Sequence, residues 1–462
     1  MTSRDGTPLA APFAEKGVLR KLKPGPGLSR EAVATDQKLR LRIALSTLAA
    51  ESGYDSVTVR SLIRRAGVST STFYNHYGGV EDCLASIVGL TLQILVGDIK
   101  DGQKRGADPL AGLWKGLRHL MERLAHEPEM ARAVFIEATA AGPRVGAEMD
   151  DAMRTLETLF AETFSRAPRP VAATTHLAVG LVAGTIATIR RTTRTGRTAE
   201  LPGLTGELTD WMLSVAHEEV VAFCVPRSRP ADGIVGGRLS DIGAFPASRE
   251  SVADASRRAI MATARLAAAN GLTGLTSAKI RKDAGLSRRE FERHFTGVED
   301  CFLEAVESVA TLAAGAAVSS AAAAGTWERW IYKAMTALCA IAASDRDLSR
   351  LVLLDVTAPG PLGLQRREAL IDRAAVRVRE EAPTDRRPSE LAATASLNAI
   401  WRIAETEVAA QRSAQLGRVA PVFVYMILAA RRTQAQAQEP EPAAPPAKLR
   451  FTPGAPLAAP AV

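Results

Sequence analysis

Apolar residues recur at three- and four-residue intervals along most of the chain, and that period predicts helices. Leu41, Leu45 and Leu48 give one face to a first helix that Ser29 can cap and Gly53 can end. Thr58 is placed to cap "VRSLIRRA", in which Val59, Leu62, Ile63 and Ala66 face inward. Gly67 then breaks the pattern and Ser69 can cap a third helix, "TSTFYNHY". In it Phe73 and Tyr77, four apart, can anchor to the other two helices. Two short helices joined by Ala-Gly-Val-Ser have the spacing of a helix-turn-helix. Longer helical segments are predicted at Glu81–Lys100, Pro109–Ala125, Glu129–Ala141, Arg144–Ser165, Val171–Arg191 and Leu204–Phe223. No run alternates β-branched and polar residues between turn signals, so the expected fold class is all-α.

The pattern is written twice. At a shift of 218 residues, Ile43–Cys83 matches Met261–Cys301 without a gap, with 16 identities in 41 positions. Gly53 meets Gly271, Thr58 meets Thr276, and Phe73, His76 and "GVEDC" recur. Further on, "RAVFIEATAAGP" from Arg132 aligns with "RLVLLDVTAPGP" from Arg350. The period is far longer than the 20–50 residues of a solenoid repeat, so a duplicated helical module is expected. The division that follows is a flexible basic arm (1–30), a first helix-turn-helix head (31–79) and a first helical body (80–224). A Pro-, Gly- and Ser-rich linker (225–248) leads to a second head (249–297), a second body (298–433) and a disordered Pro/Ala-rich tail (434–462).

Composition narrows the function classes. The chain has 462 residues, 47% of them hydrophobic, and is too long for one compact core. The nearest approach to a membrane span, around Val171–Ile189, is threaded with Thr, Gly and His; no membrane partner and a cytoplasmic location are expected. Cys83, Cys224, Cys301 and Cys339 are scattered and form no Cys-x-x-Cys pair, which favours reduced, buried thiols. No zinc motif, phosphate loop, dinucleotide fingerprint or Gly-x-Ser-x-Gly element is present, so neither metal, cofactor nor enzymatic activity is expected. The formal charge is +8, and residues 1–42 hold nine basic and four acidic side chains. Basic charge beside a candidate reading helix suits phosphate binding; a solvated tail is the plainer alternative.

With Phe73 and Tyr77 turned inward, the third helix presents Thr70, Ser71, Thr72, Tyr74 and, at its edge, His76. Small hydroxyls and methyls can approach base edges, and Tyr and His can reach phosphates. Arg60, Arg64 and Arg65 supply charge from the flank, and the helix starts at Thr58, Ser69 and Val80 supply backbone N–H donors. "TVRSLIRRAGVSTSTFYNHYGGVEDCL" resembles the DNA-binding domain of the TetR/AcrR family of transcriptional regulators. Thr58, Ala66-Gly67-Val68-Ser69, Phe73-Tyr74 and His76-Tyr77 carry the resemblance. It implies a three-helix head on a larger ligand-binding, dimerising body, and double-stranded operator DNA as partner. It implies base or phosphate contacts from Thr70, Ser71 and Thr72, phosphate contacts from Tyr74 and His76, and a groove-facing Arg60. Thr58 and Ser69 belong to the same surface. Val80 departs from the Lys that many members carry there, so one phosphate contact is lost. The arm residues Arg20, Lys21 and Lys23 resemble minor-groove extensions of some members; a loose counter-charge role is equally open.

The second head keeps its fold residues and changes its outer face. Arg288, Arg289, Glu290 and Glu292 stand where the first copy has Thr70, Ser71, Thr72 and Tyr74. The carboxylates repel phosphate unless they pair with Arg289 or Arg293 or accept from a cytosine amine. Arg288, Arg289, Arg293 and His294 are therefore candidates for a weak or altered DNA contact, and little specificity is expected from this copy. In the bodies, Trp114, Leu117, Met121, Phe135, Glu137 and Leu159, and in the second copy Trp330, Leu338, Leu353 and Asp355, are candidate linings for a small apolar or amphipathic effector. Ordinary core is the alternative for each, and an Arg partner such as Arg132 or Arg144 is the alternative for Glu137. The resemblance further implies that the last two body helices pair as a four-helix bundle, within one chain as a pseudo-dimer or between chains as a homodimer. The leading reading is a ligand-responsive repressor; a sensor or protein-interaction module that no longer binds DNA is the alternative.

Overall fold

The computed structural model describes residues 29–105, 109–166, 175–215 and 251–430. Arm residues 1–28, with Arg20, Lys21 and Lys23, the 225–248 linker, Cys224 and the 434–462 tail lie outside the described residues, while Ser29 and Arg30 of the expected arm cap and begin α1. Within them the chain is all-α, with eighteen α-helices and no strand. The N-terminal half holds α1 (Arg30–Ser52), α2 (Val59–Ala66), α3 (Thr70–His76), α4 (Val80–Arg105), α5 (Pro109–His126), α6 (Pro128–Phe135), α7 (Pro143–Ser165), α8 (Thr175–Arg194) and α9 (Leu201–Val215). The C-terminal half holds α10 (Ser251–Asn270), α11 (Ser277–Ala284), α12 (Arg288–His294), α13 (Val298–Ala321), α14 (Trp327–Ser344), α15 (Arg346–Leu353), α16 (Pro361–Glu381), α17 (Glu390–Ala409) and α18 (Leu416–Ala429).

The expected caps form. Ser29 accepts from Ala32 N–H, and Gly53 closes α1. The segment expected as one helix over Glu129–Ala141 is two pieces, α6 and a 3₁₀ turn at Glu137–Ala140. The break comes where the buried Glu137 carboxylate turns back to accept the Tyr54 N–H at 3.0 Å and pairs with Arg132 at 2.9 Å. The same break recurs in the second half, where α15 ends at Leu353 and a 3₁₀ turn runs over Asp355–Thr357.

A second correction concerns apolarity. Among the described residues, Val80–Asp101 and Val298–Ala321 are long and apolar enough to cross a membrane, with mean hydropathies of 1.6 and 1.5, while the start of Val171–Ile189 lies outside the described residues. In the fold they are α4 and α13, each running from a three-helix unit into a body. α4 packs against α5 and α7, and α13 against α14. Their apolarity therefore serves packing on several sides at once.

The two halves meet along α8 and α17, with α9 and α18 beside them. Two glycines allow the approach. A Cβ on Gly180 would come 2.5 Å from Met426 Cε, and one on Gly184 would come 2.9 Å from the Ala395 carbonyl oxygen. Polar groups cross the seam: Trp211 Nε1 donates to Ser396 Oγ at 2.9 Å, and Tyr425 OH donates to the Val215 carbonyl. Arg191 pairs with Asp372 at 2.6 Å and Glu390 at 2.7 Å, and Arg194 pairs with Glu368. The main apolar core runs continuously from Leu41 across this seam to Ala430. The core of the second three-helix unit, around Ile280, Phe291 and Phe295, is separate.

Burial also sets proton affinities. The Cys83 and Cys339 thiols are pushed up to about 12 and the Cys301 thiol to about 11, so all three are inert at neutral pH. At the start of α6, burial pushes the Glu127 carboxyl up from 4.5 to about 7, with Glu129 adding to the rise and Arg123 opposing it. Between those values the folded chain keeps a proton that the unfolded chain has lost. This group's contribution to stability is therefore complete below about pH 4.5 and is lost as pH rises through about 7. Glu127→Gln should flatten that decline, seen as a melting temperature that changes less than the wild type's from pH 5 to 8.

Candidate nucleic-acid interface

The first three-helix unit is built around its turn. Thr58 Oγ1 accepts the Ser61 N–H at 3.1 Å, and Ser61 Oγ accepts the Thr58 N–H at 3.0 Å, a reciprocal cap that fixes the start of α2. At the other end Gly67 sits at φ 63°, ψ 38°, the left-handed conformation that glycine adopts without a side-chain penalty. The carbonyls left open by this turn are taken by Arg40 of α1. Its Nη1 donates to Ala66 O at 2.6 Å and Gly67 O at 3.2 Å, while its Nε pairs with Asp36 at 3.0 Å. The sequence reading missed Arg40, yet a signal existed: Asp36 and Arg40 recur as Asp254 and Arg258 at the same 218-residue shift. Arg258 Nη1 likewise donates to Ala284 O at 2.9 Å.

α3 is then held by its aromatic residues. Phe73 and Tyr77 are buried, and Tyr74 packs edge-on to Phe73 with ring centroids 5.2 Å apart. Tyr74 itself is 56% exposed, a large aromatic surface to leave in water. Thr70 and Ser71 are exposed beside it, and Arg60 is exposed on α2. Thr70, Ser71 and Tyr74 form an open ridge along α3.

Other residues expected on this surface also hold the fold itself. Ser69 Oγ accepts the Thr72 N–H at 3.1 Å and lies 2.8 Å from Thr72 Oγ1, so both hydroxyls serve the cap. Thr58 does the same for α2. His76 is half-buried with Nε2 2.8 Å from Gln37 Oε1 of α1. An amide oxygen only accepts, so Nε2 carries the proton of that bond. Burial, and then Lys38, lowers the His76 pKa. The bond ties α3 to α1, and the lowered pKa favours the neutral imidazole over a cation. Arg65 pairs with Glu51 at 2.8 Å.

The second unit repeats the turn with a different surface. Gly285 sits at φ 62°, and Phe291 and Phe295 are buried. The carboxylates are paired, but with partners other than Arg289 and Arg293. Glu290 Oε2 accepts the Ser287 N–H at 2.7 Å; hydrogen bonding to Ser287, through its side chain first and its backbone second, holds the Glu290 carboxyl below the usual range, and Glu292 pairs with Arg288 at 2.7 Å. The reason is positional: the third residue of a helix reaches its cap, and the fifth reaches the first across one turn. Arg289 and Arg293 remain exposed, and His294 is half-buried.

The body candidates divide by half. Leu117, Met121, Phe135 and Leu159 are packed core. Trp114 lies under the Arg118 guanidinium, 5.3 Å from its ring centroid, and Glu137 is held by Arg132 and Tyr54. Trp330, Leu338 and Leu353 are brought together around a cavity of about 370 Å³, with Asp355 outside its wall and 3.5 Å from Arg350.

No curated protein sequence matches the chain significantly. Residues 44–87, from the middle of α1 into α4, match the family model described as bacterial regulatory proteins, tetR family. That span contains the α2–turn–α3 unit with its exposed Thr70, Ser71 and Tyr74, and the match supports a DNA-binding transcriptional regulator of the tetR type.

Proposed function

We propose that the chain is a sequence-specific, ligand-responsive repressor, cytoplasmic and without enzymatic activity, in which one chain supplies both halves of a pseudo-dimer. The observation that carries the DNA-binding part is the exposed ridge of Thr70, Ser71 and Tyr74 on a helix anchored by buried Phe73 and Tyr77. α3 would lie in a major groove with Thr70 and Ser71 toward base edges and Tyr74 toward the backbone. Arg60 and the open N–H groups of α2 and α3 would hold phosphates.

The pseudo-dimer part rests on the α8–α17 seam, where interhelical packing, buried hydrogen bonds and ion pairs join halves of similar sequence. A regulator of this build engages two half-sites about one helical turn, roughly 34 Å, apart. An effector that binds one body geometry better than another shifts the spacing of the two units and lowers affinity. The second unit, with Glu292 paired to Arg288, would give mainly charge contacts and little base discrimination.

The experiment is selection of bound duplexes from a random pool by the full chain, followed by a count of half-sites and of chains per duplex. One conserved half-site with a degenerate neighbour, bound by one chain, is expected. A symmetric palindrome that requires two chains would overturn the pseudo-dimer, and no enrichment at all would overturn the DNA-binding reading.

A further inference from the structure

We infer that the two halves have divided their labour: among the described residues the effector chamber lies in the C-terminal half, and it takes an apolar molecule bearing a hydrogen-bond acceptor. The inference rests on the regulator reading for its biological meaning, though not for its first test. The cavity of about 370 Å³ is lined only by residues between Val309 and Phe423, all from α13 to α18. Its size falls within the range of small-molecule sites.

The reason for the asymmetry can be read residue by residue at the 218-residue shift. Where α4 carries Leu92, Leu95, Val96 and Ile99, α13 carries Ala310, Ala313, Ala314 and Ala317, all four in the cavity wall. In the first half Leu95 and Ile99 are buried in the core, with Leu92 and Val96 partly buried against it. Ile99 is fully buried, and a Cβ on Gly116 would come 2.4 Å from Ile99 Cγ1 and 2.9 Å from its backbone nitrogen. α4 and α5 are thus in backbone contact. In the second half Trp330 stands where the first has Gly112, and its ring enters the wall beside the alanine stripe.

The wall also states what it would hold. It is almost entirely carbon. Ser349 Oγ is committed to the Ala342 carbonyl at 2.8 Å, and Arg373 and Arg377 are paired with Glu307 and Glu381. Trp401 Nε1 is buried and has no hydrogen-bond partner among the described residues, and Thr311 and the Trp330 indole are further polar groups in the wall. A buried donor left open favours a ligand that brings an acceptor. The same indole lies 5.4 Å from the Arg367 guanidinium, and the neighbouring Glu368 takes Arg194 of α8. The chamber is therefore built against the seam between the halves.

Anilinonaphthalene sulfonate, an aromatic body with an acceptor group, is the probe. Titrated into the full chain, it should bind once. Ala313→Leu with Ala317→Ile, which copies the first-half residues into the chamber, should abolish that binding. Should the double variant fail to fold by circular dichroism, Trp401→Phe keeps the ring and removes the donor, and should weaken binding about tenfold. Two probes per chain, or binding unchanged in a folded variant, overturns the inference. A chain that binds one probe but no duplex from the random pool overturns the regulator reading and leaves the chamber standing.

Discussion

Arg40→Met should destabilise the first three-helix unit by about 3–5 kcal/mol. The Arg40 side chain is 6% exposed and its partner Asp36 10%, so the ion pair is out of water. Methionine fills similar volume but leaves Asp36 without its partner and the Ala66 and Gly67 carbonyls without their donor. An uncompensated buried charge costs more than the pair contributes when intact. The matched replacement Arg258→Met should cost only about 1 kcal/mol, because Arg258 is 43% exposed and water can replace what is lost. Hydrogen exchange of the amides in residues 58–77 and 276–295 reads the two units separately, which a single melting curve of a multi-unit chain does not. Equal protection losses in the two variants would show that burial of Arg40 is not what holds the turn.

Gly184→Leu should break the seam between the halves at a cost of about 3 kcal/mol or more. A Cβ at that position would come 2.3 Å from Trp211 Cη2 and 2.9 Å from the Ala395 carbonyl oxygen. The indole can turn, at the expense of its bond to Ser396, but the α17 backbone cannot move without opening the core. Gly206→Leu on α9 is the control, since nothing lies within 4 Å of its Cβ position. Small-angle scattering should show a larger radius of gyration for Gly184→Leu and none for Gly206→Leu. Retention of the wild-type radius in Gly184→Leu would mean that the seam tolerates a branched side chain and is not close-packed.

The legibility of these features in the sequence follows from how local their causes are. Thr58, Gly67, Ser69, Phe73 and Tyr77 act on neighbours within one or two turns, so the α2–turn–α3 unit could be read directly. Thr72 and His76 could not be assigned in the same way. Thr72 is on the outer half of α3 by spacing, yet its hydroxyl meets Ser69, and His76 is claimed by Gln37, 39 residues earlier. Helical spacing marked candidate pocket residues in both bodies because it registers which face is apolar. It does not register whether the face opposite is Ile99 or Ala317, and that difference separates packed core from chamber. Glu137 was visible as an acid in an apolar run, with Arg132 among its possible partners; its link to Tyr54 depends on the three-dimensional return of the 3₁₀ turn to the end of α1. Arg40 escaped because it lies just ahead of the best-matched block, where few neighbours recur.

The most direct measurement is the affinity of the Tyr74→Ala chain for the duplex recovered from the random pool, at fixed salt, beside that of Arg289→Ala. Loss of the exposed Tyr74 ring should weaken binding by about 1–3 kcal/mol, while Arg289→Ala should lower affinity alike for all duplexes. Wild-type affinity in Tyr74→Ala, with the discrimination between duplexes lost in Arg289→Ala instead, would place the reading surface on α12 and contradict its assignment to α3.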